Sequence, residues 1–427
     1  MRGFWAVFMA VWATLALAFP DPPSDLTATA VYVADAETGQ VVLAKAPGEA
    51  RYPASTTKIV TGLLLAEAGD LDRMVVVGRE VVGVTGSRLR LRPGERISRR
   101  DLLKAILLYS ANDACMTAAV DVAGSVPAFV ERMNQRAAQL GATLTSFKNP
   151  NGLHDAYHYT TAQDLARIAV AAMKNPVFRQ TVGLKSFTPS ISGRPEQELP
   201  NRNKLIGVDP TNLGIKTGWT NPAGRCFVGW HEQGGMTLVT VVLGCPKDWV
   251  PDQTALVAWV WDNFERRELK RPGERVGSAP VAGALNGPAG LEVVGVKEAR
   301  IVPRQEPTLV RSADFRAPVA RGTAAGMLVY RAAPADGSDW TWDAVSQQVV
   351  TSQRVWSRWV LLWAALGLAG LATVILLFSG RRNRGRPPRG GPPGAGRRSP
   401  LRPPANPLVG SARRRPPASD SGSEDRS

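Results

Sequence analysis

The sequence predicts an α/β protein: a helix/sheet sandwich, then a small all-β domain, then a transmembrane helix. Three observations carry this. Strand-like segments at both ends of residues 26–267 enclose a helical middle, the pattern of helices packed on a sheet. After Gly273 the chain changes to short β-like runs separated by Gly and Pro. Trp359 to Phe378 is then twenty residues without a charge, about what a bilayer core requires.

Taken in order, the chain opens Met-Arg, followed by an apolar run from Gly3 to Ala18 that ends Ala16-Leu17-Ala18. A positive start, a short apolar core and a small-x-small end predict a signal peptide over residues 1–18. Residues 26–46 alternate apolar and polar around Glu37-Thr38-Gly39 and predict a β-hairpin. Pro53 and the Ser55-Thr56-Thr57 run suit a helix start, and Ile59 to Leu65 continue it. Further helices are expected over 101–109, 113–123, 127–140 and 162–174. Gly141 acts as a stop after the third of these, and Thr161 with Asp164 caps the fourth. Strands are expected over 213–220, 225–232 and 236–244, the last two joined by Gln233-Gly234-Gly235, and a closing amphipathic helix over 251–267.

Residues 273–350 carry no titratable constellation, so the small β-rich domain is expected to be a spacer or docking module. The apolar segment 359–378 has Trp356, Trp359 and Trp363 on one side, as interfacial aromatics do, and Arg381, Arg382, Arg384 and Arg386 on the other. This bias predicts a cytoplasmic C-terminus and an exported body. The tail over 380–427 holds ten Pro, eight Gly and twelve Arg, a composition that predicts disorder.

Charge and cysteine content narrow the function. The 427 residues carry a formal charge of +16, which on its own would suit a nucleic-acid or membrane partner. The tail's twelve arginines against three acids supply +9 of it, and no aromatic platform accompanies them. No nucleic acid is therefore expected as a partner, and the cytoplasmic membrane is. Three cysteines (115, 226, 245) make no disulfide framework, although Cys226 and Cys245 lie on consecutive strands and could face each other. Three histidines in no ligand-like spacing argue against a catalytic zinc, and no cofactor is expected.

The chemistry rests on three short motifs. In Ser55-Thr56-Thr57-Lys58, residues i and i+3 share a helix face, so an uncharged Lys58 amine can accept the Ser55 hydroxyl proton. In Ser110-Ala111-Asn112, a second hydroxyl can relay a proton, and an amide can hold a peptide group. In Lys216-Thr217-Gly218, a cation and a hydroxyl can bind a carboxylate, while the glycine lets a substrate backbone come close. Each motif alone is weak. Their order, with each occurring once, is the combination shared by penicillin-binding proteins and class A β-lactamases.

Around these motifs the sequence resembles the low-molecular-mass penicillin-binding proteins of the D-alanyl-D-alanine carboxypeptidase family, serine peptidase family S11. The stretches that carry this are Arg51 to Lys58, Tyr109 to Ala114, Met133-Asn134 through Gly141, Asn149 to Leu153, Thr160 to Ala166, Asn201 to Leu205 and Gly214 to Thr220. The resemblance covers about residues 26–265, and more weakly the β-rich part. It implies a penicillin-binding-protein/β-lactamase-like sandwich. It also implies a serine carboxypeptidase that removes the terminal D-alanine of peptidoglycan stem peptides and is acylated by β-lactams.

Carried over residue by residue, the resemblance makes Ser55 the nucleophile, Lys58 the general base and Ser110 the proton relay. Asn112 would hold the peptide amide, and Lys216 and Thr217, helped by Arg202, the terminal carboxylate. Gly218 would admit the substrate backbone. The backbone N–H groups of Ser55 and Trp219 would form the oxyanion hole. Endopeptidase action on cross-links is the close alternative. A β-lactamase fits less well, because no Glu-x-x-Leu-Asn string lies between Asn112 and Lys216. A non-catalytic penicillin-binding sensor is argued against by the intact motifs. His154 and His158 are expected to be loop residues, and Cys115 a buried apolar side chain.

Overall fold

The computed structural model describes residues 20–380, apart from 297, 312–313, 332–337 and 342. The expected signal peptide and the tail beyond Gly380 lie outside the described residues. The chain forms two compact units, one reaching Leu361 and one starting at Leu362.

In the first unit a hairpin, β1 (Ala30–Asp35) and β2 (Val41–Lys45), leads through a 3-10 turn, Ala54–Thr57, into α1 (Lys58–Glu67). The helical middle follows: α2 (Arg99–Lys104), continued by a π-helical turn over Ala105–Tyr109, then α3 (Asn112–Ala123), α4 (Val126–Gln139), α5 (Ala162–Lys174) and α6 (Pro176–Val182). Ser98, Ser125, Thr161 and Asn175 each cap a helix by accepting a backbone N–H, as short polar side chains do at N-termini. Strands β3 (Asn212–Thr220), β4 (Gly224–Gln233) and β5 (Met236–Cys245) complete the sheet, and α7 (Val250–Asn263) closes it.

Period-two alternation decides which face each strand residue serves. In β1, Ala30, Tyr32 and Ala34 join the core under the helical middle, while Val31 and Val33 join the core under α7. The sheet is therefore buried on both faces.

The segment after α7 departs from expectation. The helix foreseen to residue 267 stops at Asn263, and Phe264–Glu268 is a strand, β6. Its partner is distant in sequence: after β7 (Arg275–Ala279) and β8 (Ala289–Val294) comes β9 (Ala299–Pro303), antiparallel to β6 with Phe264 opposite Pro303. Phe264 is fully buried, so tertiary pairing outweighs the local helix preference.

β10 (Thr308–Arg311), β11 (Ala324–Arg331), β12 (Trp340–Thr341) and β13 (Val345–Thr351) follow. The second sheet has the order β7-β8-β13-β11-β10 over its own apolar core. β12 leaves it and pairs antiparallel with β2, so the first sheet reads β12-β2-β1-β5-β4-β3. This region is thus more than a spacer, since it supplies an edge strand to the larger sheet. Trp340 and Ile301 also pack into the core under α7.

Helix α8 (Trp359–Gly380) is long and apolar enough to cross a membrane.

Candidate active site

The site forms where the 3-10 turn, the α2–α3 junction and strand β3 converge. Ala54 adopts φ 48° immediately before Ser55, a left-handed conformation that non-glycine residues rarely adopt. Lys58, one helical step beyond, is fully buried. Its Nζ meets Ser55 Oγ at 2.9 Å, Asn112 Oδ1 at 2.7 Å and the Asn151 carbonyl oxygen at 2.5 Å. Burial pushes the Lys58 amine down to about 8, and the nearby Arg202 cation adds to the shift.

This geometry suits a base. A neutral amine keeps two N–H donors, which Asn112 and Asn151 accept, and its lone pair is left facing Ser55 Oγ.

Ser110 ends the π-helical turn in the left-handed conformation, φ 66° and ψ 34°, and is buried. Among the described contacts its hydroxyl is bonded to neither Ser55 nor Lys58. Asn112, two residues on, was expected to hold a substrate amide. Its side chain is engaged at both ends: Oδ1 accepts from Lys58, and Nδ2 donates to the Thr85 carbonyl at 2.7 Å. A buried ammonium or amine needs acceptors, and Asn112 serves that need first. One Nδ2 hydrogen remains for a ligand.

β3 is an edge strand, with β4 as its neighbour. Gly218 lies against the nucleophile turn: an added β-carbon would stand 3.0 Å from Ser55 N and 3.1 Å from Pro53 O. Only glycine lets the strand approach that closely. Lys216 is buried, its Nζ donating to the Thr217 carbonyl at 2.9 Å. Burial and the cations Lys58 and Arg202 hold its amine well below the usual lysine range. Thr217 is half-buried beside it.

Arg202 is exposed, its guanidinium 4.8 Å from the centre of the Tyr109 ring. Three basic side chains therefore crowd the site, and a bound carboxylate relieves the repulsion between Lys216 and Arg202. Trp219 is exposed, with Arg225 over its ring at 5.7 Å.

Two further residues were not legible as site residues. Asn151 contributes a backbone carbonyl, a group that side-chain reasoning does not reveal. The next residue, Gly152, has φ +78°, and a β-carbon there would overlap the Ala54 carbonyl. His158 was expected to be a loop residue and is buried under the nucleophile turn. Its Nδ1 accepts from Lys148 N at 3.1 Å, and its Nε2 lies 2.8 Å from Thr57 Oγ1. Thr57 already donates to Ala54 O, so the network assigns a neutral imidazole protonated on Nε2. Burial pushes it down to about 4.

His154 lies edge-on to Tyr52. All three cysteines are free and buried, so Cys226 and Cys245 do not pair. Cys115, next to the Lys58 site, has its thiol pushed up to about 11 by burial.

A family model described as D-alanyl-D-alanine carboxypeptidase matches residues 17–247. The carboxypeptidase DacB2 of Mycobacterium tuberculosis is 37% identical over 243 residues, covering 55% of this chain and 82% of that relative. DacF of Bacillus subtilis is 32% identical over 254 residues, covering 57% of this chain and 65% of its own length. The solved structure of the carboxypeptidase DacD from Francisella tularensis superposes with a TM-score of 0.62 at 23% identity, over 80% of this chain and 98% of that one; it bears on the fold alone. The matched span contains β1 through β5 and with them Ser55, Ser110 and Lys216, and the chain belongs to the D-alanyl-D-alanine carboxypeptidase family, serine peptidase family S11.

Proposed function

We propose that the chain carries out its family's reaction, removing the terminal D-alanine of peptidoglycan stem peptides, with Ser55 as nucleophile and Lys58 as base. The observation that carries this is the 2.9 Å contact between Lys58 Nζ and Ser55 Oγ, with the amine buried and its other acceptors in place. Lys58 takes the hydroxyl proton as Ser55 Oγ attacks the carbonyl carbon of the penultimate D-alanine. Backbone N–H groups of Ser55 and Trp219 receive the developing oxyanion. Collapse breaks the C–N bond, and Ser110 passes a proton to the leaving amine. Water then hydrolyses the ester and returns Ser55.

Lys216, Thr217 and Arg202 bind the terminal carboxylate, which offsets the repulsion between the two basic groups. β-Lactams acylate the same oxygen. The chain is held at the cytoplasmic membrane by α8 with the catalytic part outside, a reading supported by the apolar length of that helix and by the arginines that follow it.

The test is covalent labelling of the full chain, in detergent, with a fluorescent penicillin, read by intact mass. Label on the wild type and none on Ser55→Ala is expected. Label that survives Ser55→Ala overturns the assignment. Release of free D-alanine from a pentapeptide identifies the carboxypeptidase, and faster cleavage of cross-linked dimers would make the enzyme an endopeptidase.

A further inference from the structure

Asp113 follows Asn112 at the start of α3 and is buried. Among the described residues no cation forms an ion pair with its carboxylate. Its partners are backbone amides: Oδ1 accepts from Leu89 N at 3.0 Å and Ala114 N at 2.9 Å, and Oδ2 accepts from Leu91 N at 2.9 Å. A buried carboxylate without a counter-ion must be held by hydrogen bonds, and here backbone amides hold it.

The two leucines belong to a strap, residues 85–91, most of whose other residues are exposed. The same strap holds Asn112 from outside: its Thr85 carbonyl accepts from Asn112 Nδ2, and its Ser87 carbonyl accepts from Asn112 N, both at 2.7 Å. Neighbouring residues thus grip one strap in opposite senses, Asn112 as donor and Asp113 as acceptor. Asn112 in turn receives the Lys58 amine at 2.7 Å.

We propose that Asp113 is a positioning residue for the general base. It fastens the 85–91 strap and, through the strap and Asn112, holds the Lys58 amine on Ser55. This rests on the reading of Lys58 as base.

The titratable and charged groups that act electrostatically on the Lys58 amine are Asp113 and the Cys115 thiol on α3, Lys216 on β3, Arg202 on the loop before β3, and His158 on the loop before α5. Asp113 is the carboxylate among them. It favours the charged amine, in opposition to burial and Arg202. Removing its charge therefore makes Lys58 easier to deprotonate. Removing its acceptors frees the strap. The two effects have different readouts.

The experiment compares wild type and Asp113→Asn, as full chains in detergent. It follows the second-order rate of fluorescent-penicillin acylation against pH, and deuterium exchange of the amides in residues 85–91. Asparagine keeps the size but puts an NH2 where a backbone N–H needs an acceptor. The plateau rate is expected to fall about tenfold or more as the base loses its alignment. The midpoint of the acid limb is expected to move to lower pH. The Leu89 and Leu91 amides are expected to exchange faster than in wild type. A general structural defect would lower the plateau but leave the midpoint in place, and a D113N profile with the wild-type midpoint and wild-type strap exchange overturns the proposal. The wild-type exchange stands without any variant: unprotected Leu89 and Leu91 amides in the folded protein also overturn it. A wild type that is never labelled at Ser55 removes the functional reading itself, a failure distinct from a labelled wild type whose D113N profile coincides with it.

Discussion

A β-carbon on Gly218 would stand 3.0 Å from the backbone nitrogen of Ser55 and 3.1 Å from that of Thr56. The third motif is therefore packed against the first through bare backbone. The neighbouring atoms belong to the turn that aims the nucleophile, and they cannot swing aside as a side chain would. Gly218→Ala is expected to push β3 off the turn and to slow penicillin acylation about tenfold to a hundredfold. Melting temperature measured on the same sample should change little, because β3 is an edge strand.

The acylation rate should rise with pH until the Lys58 amine is neutral, with the limb centred near the value of about 8 to which burial depresses it. Arg202 is one of the causes of that depression. Arg202→Gln should therefore move the limb to higher pH, opposite in sense to the change expected at Asp113. The same substitution should raise KM for a peptide with a free terminal carboxylate more than for its amide. Stopped-flow acylation across pH 6–10, with steady-state kinetics on both peptides, checks the pair of effects.

His158 predicts an acid-linked loss of stability. Its folded-state value of about 4 lies below the ordinary 6.5, so the folded state favours the neutral ring. The contribution is fully present above about 6.5 and is lost as pH falls through 4, where Nδ1 must take a proton while facing the Lys148 N–H. The full difference is worth about 3 kcal/mol. Urea midpoints measured from pH 7 to pH 4 should fall steeply in wild type and less steeply in His158→Gln.

Gln40, in the β1–β2 turn, ties the first sheet to β9 of the β6–β9 ladder. Its Nε2 donates to the Ile301 carbonyl at 2.7 Å, and Ile301 N donates to its Oε1 at 2.9 Å. Both ends are buried, so Gln40→Ala leaves two backbone groups without partners. The expected loss is about 2 kcal/mol, or a drop of about 5 °C in Tm. The acylation rate of the folded fraction should be unchanged, because Gln40 touches no group of the site. A calorimetric scan with a parallel labelling assay checks both.

Much of the site was legible because it is built from local spacing. Ser55 and Lys58 meet because residues three apart share a helix face. Asn112 reaches Lys58 because the motif sits at the start of α3, after a left-handed Ser110. Where partners come from far along the chain, sequence reading ran out. The Asn151 carbonyl, the strap held by Asp113 and the His158 contact to Thr57 all join segments separated by 22 or more residues, and no periodicity encodes them. The end of α7 was misjudged for the same reason, because β6 exists only through its ladder with β9.

By itself, the sequence determined the first hairpin, the main helices of the middle, strands β3 to β5, the apolar C-terminal helix and the three motifs, since these follow from side-chain period and residue chemistry within short windows. Only the tertiary structure decided that Asn112 serves the lysine, that the cysteines stay unpaired and that Trp340–Thr341 joins the first sheet. Those outcomes depend on which buried donors and acceptors find partners across the fold, and burial is a property of the packed chain.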